Sequence, residues 1–315
     1  MNILRYQDWM RPQVIEMFAQ EYGIDPVQFE CQFIEFYESP FQKDHCVRIV
    51  AEENGKVGGF QSFFYWPLAH EGKTIRAFQS GNSLVHPDFR GKGLFAKMLD
   101  WIHLPENNIA LDLLIGFPVE ASYNSFIRNK WKNPFNLQWY IKPMRPVSSL
   151  FSSPAGKLSK KFGPRTPKRI TLSPDTFFVE QQIEFDKYRF QFQQGHYNRF
   201  EYSESANHVL FEFKIQTRKK YIKELIIGKI CPTSTDEAFI QRAFKSFLKE
   251  INRTTAVAFV SIAINDHSEQ QQLIIEELGF KKIDRKIYFI AKGPLAEQIS
   301  DWSNWWMGRA DIDTW

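Results

Sequence analysis

A short glycine-rich segment, Arg90-Gly91-Lys92-Gly93, carries the clearest chemical signal in the sequence. It follows an apolar run that ends at Val85 and a proline turn at His86-Pro87, and it precedes apolar residues at helical spacing. This order predicts a strand, a turn and an amphipathic helix. Such a turn directs backbone N–H groups, the positive end of a helix dipole and, here, two cationic side chains to one point. The segment therefore predicts a binding site for a pyrophosphate.

The spacing of the glycines excludes the common nucleotide-binding loops. A dinucleotide-binding loop needs three glycines as GxGxxG, and a P-loop needs four residues between its glycines, followed by Lys and then Ser or Thr. Neither pattern occurs in this segment. Because a Cβ atom would hinder the close approach of a phosphate to the backbone, we expect both Gly91 and Gly93 to be needed.

The segment resembles the acyl-CoA signature of the GNAT superfamily of N-acyltransferases, Gln/Arg-x-x-Gly-x-Gly/Ala, which joins a strand to a helix in that family. Arg90 and Gly93 match this signature, and Phe95 departs from the small residue at its end. In the family, the strand before the turn separates from its neighbour, so that its backbone pairs with the pantetheine arm of CoA. The resemblance implies that CoA is held here by Leu84, Val85, Arg90, Gly91, Lys92, Gly93, Leu94 and Phe95.

The elements expected around this segment extend the resemblance. Two amphipathic helices are predicted first, then three strands of which two meet at Asn54-Gly55, then a helix, a strand, a short helix and a closing strand. This order matches the GNAT layout, so the resemblance covers roughly residues 1 to 145.

A second family motif, Asn-x-x-Ala-x-x-x-Tyr-x-x-x-Gly-Phe, can be placed on the sequence by its spacing alone. Its positions fall on Val119, Ser122, Phe126, Lys130 and Trp131. Phe126 thus stands where the family often has a tyrosine that protonates the departing thiolate. The resemblance therefore assigns no general acid or base here: either this branch works without that tyrosine, or the site is degenerate.

The second half of the chain is predicted to repeat the first. With 315 residues, the chain exceeds what one core usually fills. Strands are expected over 177–184, 188–192, 208–215 and 221–230, followed by a helix, a strand over 256–264, a helix over 268–278 and a strand over 281–291. The corner Leu278-Gly279-Phe280 resembles the end of the second family motif. We therefore predict an α/β protein with two GNAT-like domains, each a mixed, largely antiparallel sheet flanked by helices.

The predicted domains differ in their phosphate loops. The first GNAT-like domain, which would bind acetyl-CoA, is expected over 1–145, a basic Pro/Ser-rich linker over 146–170 and a second GNAT-like domain over 171–315. The second domain has Cys231-Pro232-Thr233-Ser234 before its helix, with no glycine and no basic residue. A CoA pyrophosphate would find little to hold it there, so one CoA per chain is expected. The tryptophan-rich tail from Trp302 to Trp315 is expected to dock onto a domain, and a role in acceptor binding remains open.

Composition and motifs argue against several other classes. Eight Lys or Arg and no Asp or Glu lie from Lys142 to Arg169, but prolines interrupt this run and aromatic residues are not regularly interleaved for base stacking, so no nucleic-acid partner is expected. The sequence contains no HExxH or CxxC motif, so no metal site is expected. No apolar run is long enough for a membrane span. Three unpaired cysteines, expected to be core thiols, predict a reducing compartment, the cytoplasm.

The function implied by the resemblance is acetyl transfer. Acetyl-CoA would be the co-substrate, and the acceptor an amine of a small molecule or an amino sugar, which attacks the thioester directly. The alternatives are a cell-envelope aminoacyl transferase of similar tandem architecture and a catalytically inactive acyl-CoA-binding regulatory module. The sequence leaves the acceptor and the oligomeric state open.

Overall fold

The computed structural model describes residues 1–144, 175–180, 182–192, 197–218, 222–234, 236–255 and 257–312. The predicted linker over 146–170 and the last tryptophan, Trp315, lie outside these residues. The chain is a mixed α/β protein whose helices are α1 (Arg11–Tyr22), α2 (Pro26–Tyr37), α3 (Leu94–Trp101), α4 (Glu120–Arg128), α5 (Ile183–Phe192), α6 (Glu237–Thr254), α7 (Glu269–Glu277) and α8 (Pro294–Gln298).

The strands are distributed over both halves of the sequence. They are β1 (Asn2–Arg5), β2 (Val47–Glu53), β3 (Lys56–Tyr65), β4 (Leu68–His70), β5 (Lys73–Ile75), β6 (Ala77–Val85), β7 (Leu113–Gly116), β8 (Lys132–Pro143), β9 (Phe177–Val179), β10 (Asn198–Glu204), β11 (Asn207–Arg218), β12 (Ile222–Pro232), β13 (Phe259–Asn265), β14 (Lys281–Lys292) and β15 (Trp305–Trp306).

The described residues form two compact units that are discontinuous in sequence. Unit 1 comprises Met1–Leu68, Thr74–Asn133 and Phe289–Ser300, and unit 2 comprises Ala69–Lys73, Pro134–Tyr288 and Asp301–Trp315. Each unit therefore takes a strand from the other half of the sequence. The end of β14, from the second half, belongs to unit 1, and most of β8, from the first half, belongs to unit 2.

Unit 1 is built on a sheet in the order β1-β2-β3-β6-β7-β14. All neighbours are antiparallel except β6 and β7, which are parallel. Alternate residues of β3 point to opposite faces. Phe60 packs against Phe18 of α1, and Phe63 joins the core formed with Met98 of α3. Helices therefore cover both faces, and β6 and β7 lie inside the sheet.

Unit 2 has a sheet in the order β8-β13-β12-β11-β10, in which only β12 and β13 are parallel. The apolar stripe of α6 packs on this sheet, where Phe247 stacks on Phe211 at 4.7 Å between ring centroids. Asp236 caps α6 by accepting a hydrogen bond from the N–H of Ala238. In each unit, a parallel strand pair thus lies beside the helix that follows its first strand.

Two expectations for the second half were wrong. The stretch predicted as a strand over 188–192 belongs to α5, and the strand predicted over 177–184 is only Phe177–Val179. The aromatic residues of this region alternate with polar ones, and this pattern favours a strand when neighbours are ignored. Cys31 is exposed on α2, unlike the core thiol expected, whereas Cys231 is buried and all three cysteines are free.

Candidate functional site: an open strand pair beside a glycine turn

The parallel strands β6 and β7 separate partway along β6. Their register runs from Ala77–Leu113 to Ser80–Gly116, where β7 ends. On its other edge, β6 remains paired with β3 as far as Val85. The edge of β6 from Gly81 to Val85 that faces away from β3 therefore has no strand partner among the described residues. A ligand with amide groups can pair with such an edge.

A bulge marks the point where the strands part. Phe60 of β3 pairs with Leu84, and Ser62 pairs with Gly81, so that two residues of β6 oppose one of β3. Asn82 lies in this bulge in a left-handed conformation, with φ of 47°. Bulges of this kind redirect the backbone of a strand next to a binding site. The pair Gly81-Asn82 inside a strand pattern is the local sequence signal for this bulge.

Buried polar side chains hold the bulge in place. Tyr37 of α2 donates a hydrogen bond to Ser62 Oγ at 3.1 Å and accepts one from Asn82 Nδ2 at 2.7 Å. Ser62 in turn donates to the carbonyl of Gly81 at 2.7 Å. Burial raises the pKa of the Tyr37 phenol, which therefore stays protonated at neutral pH. This network, which was not predicted, links α2 to the strand edge.

Leu84 and Val85 present different backbone groups to the open edge. The N–H of His86 bonds to Gly58 of β3 at 3.0 Å, and amides alternate in direction along a strand. The N–H of Val85 therefore points to the open edge, whereas the backbone of Leu84 faces β3. The carbonyl of Val85 accepts a hydrogen bond from Arg90 Nε at 3.0 Å. Of the two positions, Val85 is the one that offers a donor.

The glycine turn lies directly beyond this edge. Gly91 and Gly93 have φ of +79° and +69°, a conformation that side chains disfavour. Apart from each glycine and its two chain neighbours, no atom of the described residues lies within 4 Å of the position where a Cβ would be. The glycines are thus required by backbone conformation rather than by protein packing. The space above them is open to a ligand.

The first turn of α3 also faces this space. Gly93 is the N-cap residue, and no side chain caps the helix. The N–H groups of Leu94, Phe95 and Ala96 have no partner within the helix, because such groups never do in a first turn. Leu94 is buried, so it can contribute its backbone but not its side chain to a ligand, whereas Phe95 is only partly buried against the core. Free N–H groups at a helix start are suited to an anion.

The two cations of the turn have different surroundings. Arg90 forms an ion pair with Glu21 of α1, with 2.7 Å between Nη2 and Oε2, in addition to its bond with Val85. It therefore ties the turn to α1 and to the strand edge. Lys92 is exposed, and its ammonium lies 5.0 Å above the ring of Phe89. Of the two cations, Lys92 is therefore the one that could contact a phosphate without breaking a salt bridge seen among the described residues.

Phe126 lies in the core of unit 1. Only 6% of it is exposed, and it makes edge-to-face contacts with Phe95 and Trp131 at 5.2 and 5.1 Å between centroids. Lys130 adopts φ of 62° at the position of the family glycine, directly after α4. At the positions onto which the second family motif was placed by spacing, the chain thus has hydrophobic packing around Phe126.

The corresponding strand pair of unit 2 is closed by the chain itself. The register of β12 and β13 stops at Ile227–Ile262, and beyond it the C-terminal segment Trp305–Ile312 lies against both strands. Gly308 forms an antiparallel bridge with Ile264 of β13, and the indole N–H of Trp306 bonds to the carbonyl of Ile230 at 2.7 Å. We call the segment Trp305–Ile312 the tail. Its contacts with β12 and β13 agree with the expectation that the tryptophan-rich end of the sequence docks onto a domain.

A buried ion pair anchors the tail. Asp311 accepts a hydrogen bond from Lys229 Nζ at 2.7 Å and one from the N–H of Gly308 at 2.9 Å. Burial alone would lower the pKa of Lys229, but the carboxylate of Asp311 more than offsets this and raises it. Arg189 donates to the carbonyls of Ala310 and Ile312. A Cβ on Gly308 would lie 2.3 Å from the carbonyl oxygen of Gly228, so the tail packs as closely as backbones allow.

The open strand edge and the glycine turn lie side by side in unit 1, an arrangement whose geometry suits a ligand with an anionic end and an amide-containing arm. Solved structures are similar to the chain, although no family model and no curated protein sequence matches it. A GCN5-related N-acetyltransferase of Kribbella flavida matches with a TM-score of 0.60 at 10% identity, over 94% of this chain and 72% of that chain. One of Anabaena variabilis matches with a TM-score of 0.56 at 11% identity, over 92% and 72%.

A third structure agrees with these two. A conserved protein of Enterococcus faecalis, described as a "Probable N-Acyltransferase" of unknown function, matches with a TM-score of 0.63 at 12% identity, over 93% of this chain and 73% of that chain. Identities this low establish the fold and nothing further. The chain has the fold of the GNAT N-acetyltransferases, as the glycine segment and the order of elements predicted.

Two other findings concern the described residues only. No group of three or more His, Cys, Asp or Glu in them is arranged to hold a metal ion. Among their helices, none combines the length and the apolar character needed to cross a bilayer.

Proposed function

We propose that the chain is an acyl-CoA-dependent N-acyltransferase that moves an acetyl group from acetyl-CoA to an amine of a small molecule or amino sugar. The observation that carries this proposal is the continuity between the open edge of β6 and the uncapped start of α3 through two left-handed glycines. The strand edge and the glycine turn suit different parts of CoA. The amide-bearing pantetheine arm pairs with the strand edge, and the pyrophosphate lies on the turn.

The donor side follows from the backbone. The N–H groups at the start of α3 and the ammonium of Lys92 neutralise the pyrophosphate. Arg90 acts mainly by holding the turn against Glu21 and Val85. The N–H of Val85 at the open edge supplies a donor for a pantetheine amide or the thioester carbonyl.

The chemistry is direct transfer. The neutral amine attacks the thioester carbonyl carbon, a C–N bond forms, and the C–S bond breaks as the CoA thiolate leaves. A thiol has a pKa near 8.5, so the thiolate is a tolerable leaving group and can take the proton that the new amide nitrogen loses, by way of water. Tyr37 stays protonated and hydrogen-bonded within its network, so it does not serve as the base.

A second candidate is an acyl-CoA-binding regulatory module without catalysis. The burial of Phe126 at the position where the family often has its acid favours it. Release of free thiol from acetyl-CoA in the presence of a panel of amines separates the two candidates, because a binding module would bind CoA without turnover.

We also propose that unit 2 is a degenerate copy without a CoA site and that the protein works in a reducing compartment. The tail in the unit 2 strand pair and the three free cysteines support these points. Binding of CoA should therefore occur once per chain.

The test is calorimetry with CoA on the full chain and on Gly91→Asp. The new carboxylate would stand where the pyrophosphate is expected, so affinity should fall by at least about 100-fold, or 2.7 kcal/mol. Gly72→Asp is the matched control, because Gly72 has φ of +73° and is equally free of contacts but lies outside the turn. Two CoA sites per chain, or equal affinity in both variants, would refute the proposal.

A further inference from the structure

Unit 2 contains a polar cleft beside the tail residue Trp306. It is open to solvent on one side, has a volume of about 280 Å³ and lies between the start of α7 and the chain around β15. This volume is just below the usual range of about 300–1,000 Å³ for sites of drug-sized ligands, so it suits a small ligand such as a single sugar ring. Side chains that can donate or accept hydrogen bonds, together with one indole, make up most of its lining: Thr176, Ser268, Gln270, Gln271, Asn304 and Trp306.

The charges of the cleft indicate which ligands it suits. Among the described residues that line it there is one carboxylate, Glu269, and one imidazole, His267, but no Lys or Arg. An anionic ligand such as a phosphate would find no fixed cation. A strongly apolar ligand would find mainly amides and hydroxyls. The lining instead suits an uncharged ligand with many hydroxyl groups.

The indole is held in a fixed orientation. Trp306 uses its N–H in the bond to the carbonyl of Ile230, so it presents a ring surface rather than a donor. Its strand, β15, pairs in parallel with β9, and the carbonyl of Trp305 accepts hydrogen bonds from Gln271 Nε2 at 3.2 Å and Asn265 Nδ2 at 3.2 Å. The wall of the cleft is thus preorganised, which lowers the entropic cost of binding.

We propose that this cleft binds a neutral saccharide. One face of a sugar ring carries C–H groups that pack on an indole, while its edge carries hydroxyls that both donate and accept hydrogen bonds. Trp306 provides the first contact, and the amides of Gln271 and Asn304, with the Ser268 hydroxyl, provide the second. This site would add a carbohydrate-binding activity to the chain, and it does not depend on the acyl-transfer proposal.

The test is calorimetry and saturation-transfer NMR on the full chain with glucose, N-acetylglucosamine and their linear trisaccharides. At least one of these should bind at ~10 mM or below. Trp306→Leu, which keeps an apolar contact but removes the ring, and Asn304→Ala, at an exposed position, should each weaken binding by about tenfold or more.

Trp9→Leu is the control, because Trp9 is an exposed indole of unit 1, with 53% of it accessible. It should leave sugar binding unchanged. Thermal unfolding of each variant separates loss of the site from loss of the fold, and Asn304→Ala keeps the test valid if Trp306→Leu is unstable. Absence of sugar binding, or binding that neither cleft substitution weakens, would overturn the proposal. Preferential binding of inorganic phosphate in the cleft would overturn it as well.

Discussion

In both units a parallel pair of strands separates partway along its length, at Ser80–Gly116 in unit 1 and at Ile227–Ile262 in unit 2. The backbone groups exposed by this separation need partners, because unpaired buried N–H and C=O groups are costly. Unit 2 supplies them from its own tail through Gly308 and Trp306. Unit 1 leaves the edge of β6 without a strand partner among the described residues, and it is this edge that we propose pairs with a ligand.

The difference extends to the loops that follow the first strand of each pair. In unit 1 the loop contains two left-handed glycines with open space above them. In unit 2 strand β12 runs on to Pro232, and Thr233 is tied to His208 by hydrogen bonds in both directions. The same backbone arrangement is thus compatible with binding a cofactor and with binding a peptide segment. Which one occurs depends on the loop and on what fills the gap.

The largest effect on this comparison is expected from Asp311→Ala. Removing the carboxylate leaves Lys229 buried without its partner and frees the N–H of Gly308. Breaking a buried pair in this way typically costs about 3–5 kcal/mol. Urea unfolding followed by tryptophan fluorescence measures the loss.

The control for Asp311→Ala is Glu204→Ala, which breaks an exposed pair with Arg242 in the same unit. Exposed pairs contribute at most about 1 kcal/mol. Equal losses in the two variants would mean that the tail is not held by this ion pair.

The sequence predicted the local elements of unit 1 around the open edge, and for unit 2 it predicted that the tail docks but not that it fills the strand pair. The glycine turn, α3 and the hairpin at Asn54-Gly55 depend on local signals, namely glycines, apolar spacing and turn residues, and all are found where expected. Insertion of the tail joins residues about 80 apart, such as Lys229 and Asp311, and no local pattern encodes that contact. The pairing of β14 with β7 and of β8 with β13 also joins strands far apart in sequence, so local patterns do not predict it.

In the candidate site, too, local features could be predicted from the sequence and long-range contacts could not. Arg90 was expected to bind phosphate because it is a cation beside glycines, yet its guanidinium is paired with Glu21, a residue 69 positions away. The support of the bulge by Tyr37 depends likewise on the packing of α2 over β3. Side-chain types near a motif predict which residues approach a ligand, but partners distant in sequence decide which remain available to it.

An intermediate effect is expected from Phe126→Tyr. The ring is enclosed by Phe95 and Trp131, so a new hydroxyl would be buried without a designed partner and should lower the free energy of unfolding by about 1–3 kcal/mol. Turnover per folded molecule should not change. Phe29→Tyr is the control at a half-exposed ring of α2 and should cost less. A rise in kcat with unchanged stability would instead place the hydroxyl at the reacting thioester.

The smallest effect on stability, and the most specific one on function, is expected from Tyr37→Phe. The substitution removes the acceptor of Asn82 and the donor to Ser62 but keeps the packing of the ring. Because Asn82 is only partly buried and water can replace its acceptor, the loss of stability should be about 0.5–1.5 kcal/mol.

The effect of Tyr37→Phe on turnover distinguishes a bulge that positions the strand edge from one that only fits the sheet. If the bulge aligns that edge with the thioester, kcat should fall by about tenfold while KM for acetyl-CoA stays the same, since the phosphate turn is untouched. Tyr140→Phe removes another buried tyrosine hydroxyl, in the core of unit 2, and should alter stability alone. Equal kcat values for Tyr37→Phe, Tyr140→Phe and the wild type would mean that the bulge network stabilises unit 1 without contributing to transfer.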